Sequence, residues 1–310
     1  MLRASTSAEM SPGAARKSAC ATILAALLLS GSAFAQPKRP PIVGVAHVSL
    51  KVADITQARN FYGAGLGLAE AFQVTQSTYF KVNDHQYIQI TPNLKDDSED
   101  RLYHVAFETT NVRQLRDYLA SKGVTVPAKA TPNAEGDLSV TVRDPEGREV
   151  EFVEYTKGSL ATRNIGRFLA PTRISERIIH CGFIVQDRAA ENKFWQDILE
   201  FHEMWYGGMT DDRADWIDMR VPEGKDWLEY MCNQPHPSTR TRGVMNHLAL
   251  GVPNVQKAYD ALMARNGPAK EKPKIGRDGK WQLNLYDADL TRVELMEPAP
   301  VQKPCCSEFK

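Results

Sequence analysis

The chain has 310 residues, with 38 basic side chains against 38 acidic ones. That balance excludes a basic surface for nucleic acid or anionic lipid. Five cysteines without a CxxC pair exclude a thiolate zinc clamp, and the length left after a short leader suits two domains of ordinary size.

The first predicted element is an export signal at residues 1–35. Arg16 and Lys17 precede an apolar stretch from Ala19 to Leu29, and Ala33-Phe34-Ala35 offers a small-x-small cleavage site. The apolar run is too short to span a bilayer. The mature chain is expected to start near Gln36, in the periplasm or outside the cell, with no membrane contact.

Next comes a strand around His47 (VAHVSLKV), then a helix over Ile55–Leu66 and strands at Ala71–Val74, Tyr79–Val82 and Tyr87–Thr91. The same order restarts at His104 (YHVAFET): a helix over Val112–Lys122 stopped by Gly123, then strands at Val124–Ala128, Leu138–Val142 and Glu149–Tyr155. Asp144-Pro145-Glu146-Gly147 makes the last hairpin turn. Residues 157–175, with Gly158, Gly166 and Pro171 and no sustained period, read as a linker. Units three and four then start at His180 (IHCGFIV) and His247 (NHLALGV), giving domains at 40–156 and 176–298 and a tail at 299–310.

In each histidine strand the bulky apolar residues alternate with the histidine, as in Val48/Leu50, Val105/Phe107, Cys181/Phe183 and Leu248/Leu250. Strand period is two, so the imidazole points away from the packed face, among small or polar neighbours: Ser49, Ala106, Gly182 and Ala249. A single such histidine is an ordinary strand residue. Four in register are a ligand pattern.

Two more positions recur. The closing strands of units two and four carry Glu151 (REVEFVEY) and Glu294 (TRVELMEP), and those of units one and three carry Gln89 (YIQITP) and Glu229 (WLEYMC). A carboxylate on a strand built for burial is costly unless a cation compensates it. The expected metal sets are His47, Gln89, His104 and Glu151 in the first domain and His180, Glu229, His247 and Glu294 in the second. Nitrogen and oxygen donors without thiolate suit one zinc, nickel, manganese or iron(II) ion per site.

These residues resemble the vicinal oxygen chelate superfamily, which includes glyoxalase I, extradiol dioxygenases, fosfomycin-resistance enzymes and bleomycin-binding proteins. His47-Val48-Ser49-Leu50-Lys51-Val52, Phe61-Tyr62 and Leu66-Gly67-Leu68 resemble the opening signature of glyoxalase I, and His104-Val105-Ala106 through Asn111 resembles the end of its second signature. The turn Asp144–Gly147 followed by Val150-Glu151 is shared across the superfamily. The second domain departs with Phe194-Trp195 for the aromatic pair and Asp287-Ala288-Asp289-Leu290 for the turn. The resemblance implies an α+β fold: four βαβββ units paired into two cupped mixed sheets with flanking helices, a divalent metal in each cup.

It also implies a chemistry. A metal polarises a carbonyl or an enediolate while a glutamate moves the proton, and Glu294, Glu229 and Glu151 are the candidate catalytic carboxylates. The second domain, with two acids, is the better equipped, because Gln89 cannot titrate. An extradiol dioxygenase with iron on His47/His104/Glu151 or His180/His247/Glu294 is the alternative. The resemblance there also calls for a histidine and a tyrosine before the final turn, which Asn133–Val142 and Asp278–Leu285 lack. A non-catalytic binding cup of the bleomycin-resistance type is the third reading, and eight filled ligand positions speak against it. The partner expected is a small molecule with vicinal oxygens, with monomer and homodimer both open. Export separates the chain from a cytosolic thiol substrate.

All five tryptophans fall in the second domain, and Trp227 shares a strand face with Glu229. Cys181 and Cys232 can bond in an oxidising compartment if their strands are neighbours. Cys305 and Cys306, in the polar tail, receive no role.

Overall fold

Four short polar residues decide where each histidine strand gives way to a helix. Asp54, Asn111, Asp187 and Asn254 each accept a hydrogen bond from a backbone N–H two or three residues on, which satisfies a donor the first helical turn leaves free. The computed structural model describes residues 37–310 except 266 and 268. The export signal read at residues 1–35 lies outside the described residues.

Strand β1 (Ile42–Lys51) leads to α1 (Ile55–Ala58), then β2 (Ala69–Val74), β3 (Ser77–Lys81) and β4 (Tyr87–Thr91). Strand β5 (Leu102–Thr109) leads to α2 (Val112–Ser121), β6 (Thr131–Pro132), β7 (Leu138–Arg143) and β8 (Glu149–Glu154). The connecting stretch carries α3 (Leu160–Arg163). The order repeats as β9 (Arg177–Ile184), α4 (Arg188–Asn192), β10 (His202–Gly207), β11 (Trp216–Arg220) and β12 (Trp227–Met231). Helix α5 (Thr239–Met245) precedes β13 (His247–Gly251), α6 (Val255–Ala264), β14 (Lys274–Ile275), β15 (Trp281–Tyr286) and β16 (Arg292–Met296).

The first eight strands form one sheet in the order β2-β3-β4-β1-β5-β8-β7-β6, and the last eight form another, β10-β11-β12-β9-β13-β16-β15-β14. Units one and two therefore share one sheet, and units three and four the other. The two central strands of each sheet, β1 with β5 and β9 with β13, are antiparallel, and each pairs outward in parallel with the closing strand of its own unit. That places all four ligand positions of a half in the middle of its sheet. Val48, Leu50, Val105, Phe107, Cys181, Phe183, Leu248 and Leu250 are buried in one core that both halves share, with the Phe107 ring 5.7 Å from Trp195.

Three local features differ from expectation. Helices α1 and α4 run on as π-helical turns over Arg59–Gly65 and Lys193–Ile198, where Leu66 N donates to Phe61 O and Leu199 N to Phe194 O. The wider turn lets two consecutive rings, Phe61-Tyr62 and Phe194-Trp195, both be buried. Val124–Ala128 forms no strand: Pro127 has no N–H to give a ladder, and its carbonyl accepts from Arg116 instead, so the sheet edge is only the two-residue β6. Cys181 and Cys232 are free. Their strands are neighbours, but Cys181 pairs with Leu228, which leaves Cys232 about 13 Å along the strand and far outside disulfide reach. Cys305 and Cys306 are bonded to each other.

The halves are joined by the two closing turns. Glu146 accepts hydrogen bonds from the backbone N–H groups of Gln186 (2.6 Å) and Asp187 (3.0 Å), at the corner between β9 and α4. Asp289, in the equivalent turn of the second half, accepts from Ala53 N at 3.0 Å, between β1 and α1. Leu290 adopts φ 64 where the first turn has Gly147 at φ 84, so the departure at Asp287–Leu290 changes the residue and keeps the backbone. Buried Arg148 holds Asp144 at 2.6 Å and reaches across to Glu191 at 2.8 Å.

Candidate metal centres

The alternation that buries Val48 and Val105 turns His47 and His104 to the other face of the first sheet, and pairing of β1 with β5 sets them side by side. His47 Nε2 and His104 Nε2 stand 2.8 Å apart, and Glu151 Oε2 lies 3.3 Å from the first and 3.4 Å from the second. Three donors on a metal at about 2.1 Å, at right angles or tetrahedrally disposed, are separated by roughly 3.0–3.4 Å. The triangle fits one divalent cation. Among the described residues His47, His104 and Glu151 form one such group. Gln89 donates to Ser77 Oγ at 3.3 Å, and its Oε1 is buried without a hydrogen-bond partner. An acceptor left bare in this way suits a fourth ligand.

The second sheet repeats the arrangement with a carboxylate in place of the amide. His180 Nε2 and His247 Nε2 are 3.1 Å apart, Glu294 Oε2 is 3.5 Å from the first and 3.4 Å from the second, and Glu229 Oε2 is 3.4 Å from His247 Nε2. All four expected positions converge. Both histidines are fully buried, and the His247 ring lies across the backbone of Gly182, where an added Cβ would run into it. Gly182 is thus part of the site; its only trace in the sequence is the small neighbour beside His180.

Charge in the two cups is arranged as a cation would need it. Burial lowers the basicity of His104 and His180 below the ordinary imidazole value, against the pull of Glu151 and Glu294. His247 is pushed down to about 3, by burial first and then by Arg292. Burial also opposes charge on His47, but Glu151 outweighs it and holds that imidazole above its ordinary value. Burial would raise Glu151 and Glu294, yet the paired histidines keep both well below the usual carboxylate range. Glu229 goes the other way: burial and the neighbouring Glu294 charge hold its carboxyl well above that range. Two carboxylates pushed apart at one site are equipped to divide proton removal from proton return.

The cups differ in space. Above the second set lies a cavity of about 320 Å³ lined by Glu229, Glu294, Asp218, Arg292, Trp205 and Trp216, among others. Burial pushes the Asp218 carboxyl up to about 8. Trp227 packs 4.9 Å from the His180 ring, while Trp195 belongs to the core. The tail, to which the sequence assigned nothing, packs against one of the lining residues: Phe309 stacks on Trp205 at 6.0 Å, and Lys280 Nζ sits 4.4 Å from the Phe309 ring and 4.9 Å from that of Trp227. In the first cup Tyr79 stands 6.3 Å from the His47 ring, and α3 brings Ala161 against Tyr79, Tyr87 and Ala71.

The family model described as the Glyoxalase/Bleomycin resistance protein/Dioxygenase superfamily matches residues 44–152 and again 177–295. No curated protein matches the chain. Among solved structures, an extradiol ring-cleaving dioxygenase from Brevibacterium fuscum is similar at 18% identity and TM-score 0.65, over 87% of this chain and 75% of that one. The 2,3-dioxygenase LapB from Pseudomonas sp. KL28 is similar at 18% identity and TM-score 0.66, over 86% of this chain and 97% of that one. Homoprotocatechuate 2,3-dioxygenase from Brevibacterium fuscum, in complex with 3,4-dihydroxyphenylacetate, is similar at 18% identity and TM-score 0.64, over 88% of this chain and 86% of that one. At these identities the likeness is one of fold.

Proposed function

The chain belongs to the Glyoxalase/Bleomycin resistance protein/Dioxygenase superfamily, and from that premise we propose that it is a divalent-metal-dependent enzyme moving a proton on a small substrate with vicinal oxygens, in its second cup. The observation that carries this is the convergence of His180, Glu229, His247 and Glu294 beneath a cavity of about 320 Å³. A divalent cation bound there supplies the positive charge that polarises the two substrate oxygens. Glu294, ionised between two imidazoles, orients the donor set. Glu229, whose burial favours the protonated form, holds or accepts a proton at Oε2. The first cup, with Gln89 in place of a second acid, has a binding role at most comparable in metal affinity and weaker in proton transfer.

The second reading is ring cleavage by iron and dioxygen. It is favoured by the two-histidine, one-carboxylate triads and by the fold shared with the extradiol dioxygenases. Against it, Asn133–Val142 and Asp278–Leu285 lack the histidine and tyrosine that the resemblance to extradiol dioxygenases calls for. Protein loaded with zinc, nickel, manganese or iron(II) separates the two readings. Isomerisation of 2-hydroxycarbonyl compounds without oxygen uptake is expected; oxygen consumption with catechols and iron(II) alone would establish the second.

The same proposal places the enzyme outside the cytoplasm with Gln36 as its first residue, since residues 1–35 read as an export signal. N-terminal sequencing of protein recovered from an exporting host checks this, and an intact Met1 in the cytoplasm overturns it.

A further inference from the structure

The two cups are built on the same registers, which makes differences between equivalent positions informative. In the first half His104 pairs with Glu149 across β5 and β8; in the second His247 pairs with Arg292 across β13 and β16. One step outward, Glu149 pairs with Arg143 and Arg292 with Tyr286. The first half therefore closes its own charge, with Arg143 and Glu149 bonded at 2.6 Å. The second half carries the opposite charge at the ligand strand, and its cross-strand neighbour there, Tyr286, carries no acid to match it.

Arg292 is left under-used in a place where a guanidinium is costly. Its Nε is buried without a hydrogen-bond partner, its Nη2 lies against the His247 ring and 3.7 Å from Met231 Sδ, and the nearest carboxylate in ion-pair range, Glu229, is at 4.0 Å. Its side chain is 18% exposed, and what it is exposed to is the cavity over Glu229 and Glu294. A planar cation with five donors, its Nε unpartnered and its one carboxylate contact as far off as 4.0 Å, is suited to a carboxylate brought by a ligand. The other cations at the cavity are spoken for: Arg277 pairs with Asp211, and Lys274 with Glu271 at 3.6 Å.

We propose that Arg292 is the anion-recognising group of the second cup, so that its substrate carries a carboxylate in addition to the vicinal oxygens, in the class of hydroxy-oxo acids. The proposal rests on the reading of that cup as a substrate site. In the bound state the carboxylate takes Nη donors of Arg292 while the hydroxyl and oxo oxygens lie over the His180/His247/Glu229/Glu294 set. The first cup, with Glu149 paired to Arg143 at the same position, offers such a ligand no cation there.

The test compares hydroxypyruvate with hydroxyacetone, which share adjacent hydroxyl and oxo groups and differ in the carboxylate. Binding is measured by calorimetry to the full mature chain with and without zinc, for the native protein, Arg292→Met and Arg292→Lys. Hydroxypyruvate is expected to bind the native protein more tightly than hydroxyacetone does and to lose about 10- to 100-fold in Arg292→Met, the scale of a charge-assisted hydrogen bond. Hydroxyacetone binding should fall far less than that, and Arg292→Lys should restore part of the hydroxypyruvate loss. Equal loss for both compounds, or no loss for either, overturns the proposal. Zinc content is read separately by elemental analysis. Failure to bind zinc strikes the metal reading, whereas discrimination between the two compounds without zinc still tests Arg292.

Discussion

At the residue scale, the site is decided by which side chains the alternation turns away from the core and by what each then meets. His180, His247 and Glu294 converge because each alternates with a buried apolar neighbour, and Glu229 joins them from β12. Glu294→Gln is expected to lower turnover by about 100-fold or more, because it removes the ionised carboxylate that His180 and His247 share and weakens the donor set on which proton transfer by Glu229 depends. Glu151→Gln should cost less; the reverse order would move the working site to the first cup. Gly182 gives a second check on geometry. Because an added Cβ at Gly182 would run into the His247 ring, Gly182→Ala should lose the metal of the second cup and keep that of the first. Elemental analysis showing undiminished metal in that variant would separate Gly182 from the site.

At the element scale, the closing turns and the corners they grip matter more than any single helix. Arg148 holds Asp144, Glu146 and Glu191, three carboxylates from two halves of the chain, and stacks 4.1 Å from the Phe183 ring. Arg148→Ala leaves those acids without their cation and is expected to destabilise by about 3–5 kcal/mol, measurable by denaturant unfolding. Burial pushes the Glu191 carboxyl from its ordinary 4.5 to about 7, in spite of Arg148. Between those two values the folded chain keeps a proton that the unfolded chain has released. The stability this proton contributes is complete below pH 4.5 and is lost as pH rises through about 7. Glu191→Gln removes that titration, so the variant should gain on the native protein between pH 4.5 and 7 in matched melting curves. A difference that does not change with pH would show that Glu191 titrates normally.

At the scale of the whole molecule, two similar halves do unequal work. They share one apolar core and exchange backbone hydrogen bonds through Glu146 and Asp289, so unfolding should be a single transition in which neither half melts first. Two separated transitions would show that the clasp is weak. The second half joins four donors to a lined cavity with the Arg292 guanidinium beside it, while the first has Tyr79 beside its set and Ala161 packed against Tyr79. Among the described residues no helix is long and apolar enough to cross a membrane.

The repeat and the convergence of seven of the eight candidate side chains were legible in the amino-acid order, because they follow from a period of two and from caps and turns that act within a few residues. His47, His104 and Glu151 meet as the alternation implies, as do His180, Glu229, His247 and Glu294. Gln89 stayed undecided, since whether an amide reaches a ligand position depends on a competitor, here Ser77, from another strand. The same is true of the π turns, set by the room two consecutive rings need in a core shared with the other half, and of Asp144–Gly147, whose Glu146 finds its partners forty residues away. Ala161 of α3 packs against Tyr79 beside the first set and Phe309 against Trp205 at the second, both from segments whose own composition carries no period. Local order determined what each strand presents; only the assembled halves determined what stands opposite it, because burial, charge and free space are properties of neighbours remote in sequence.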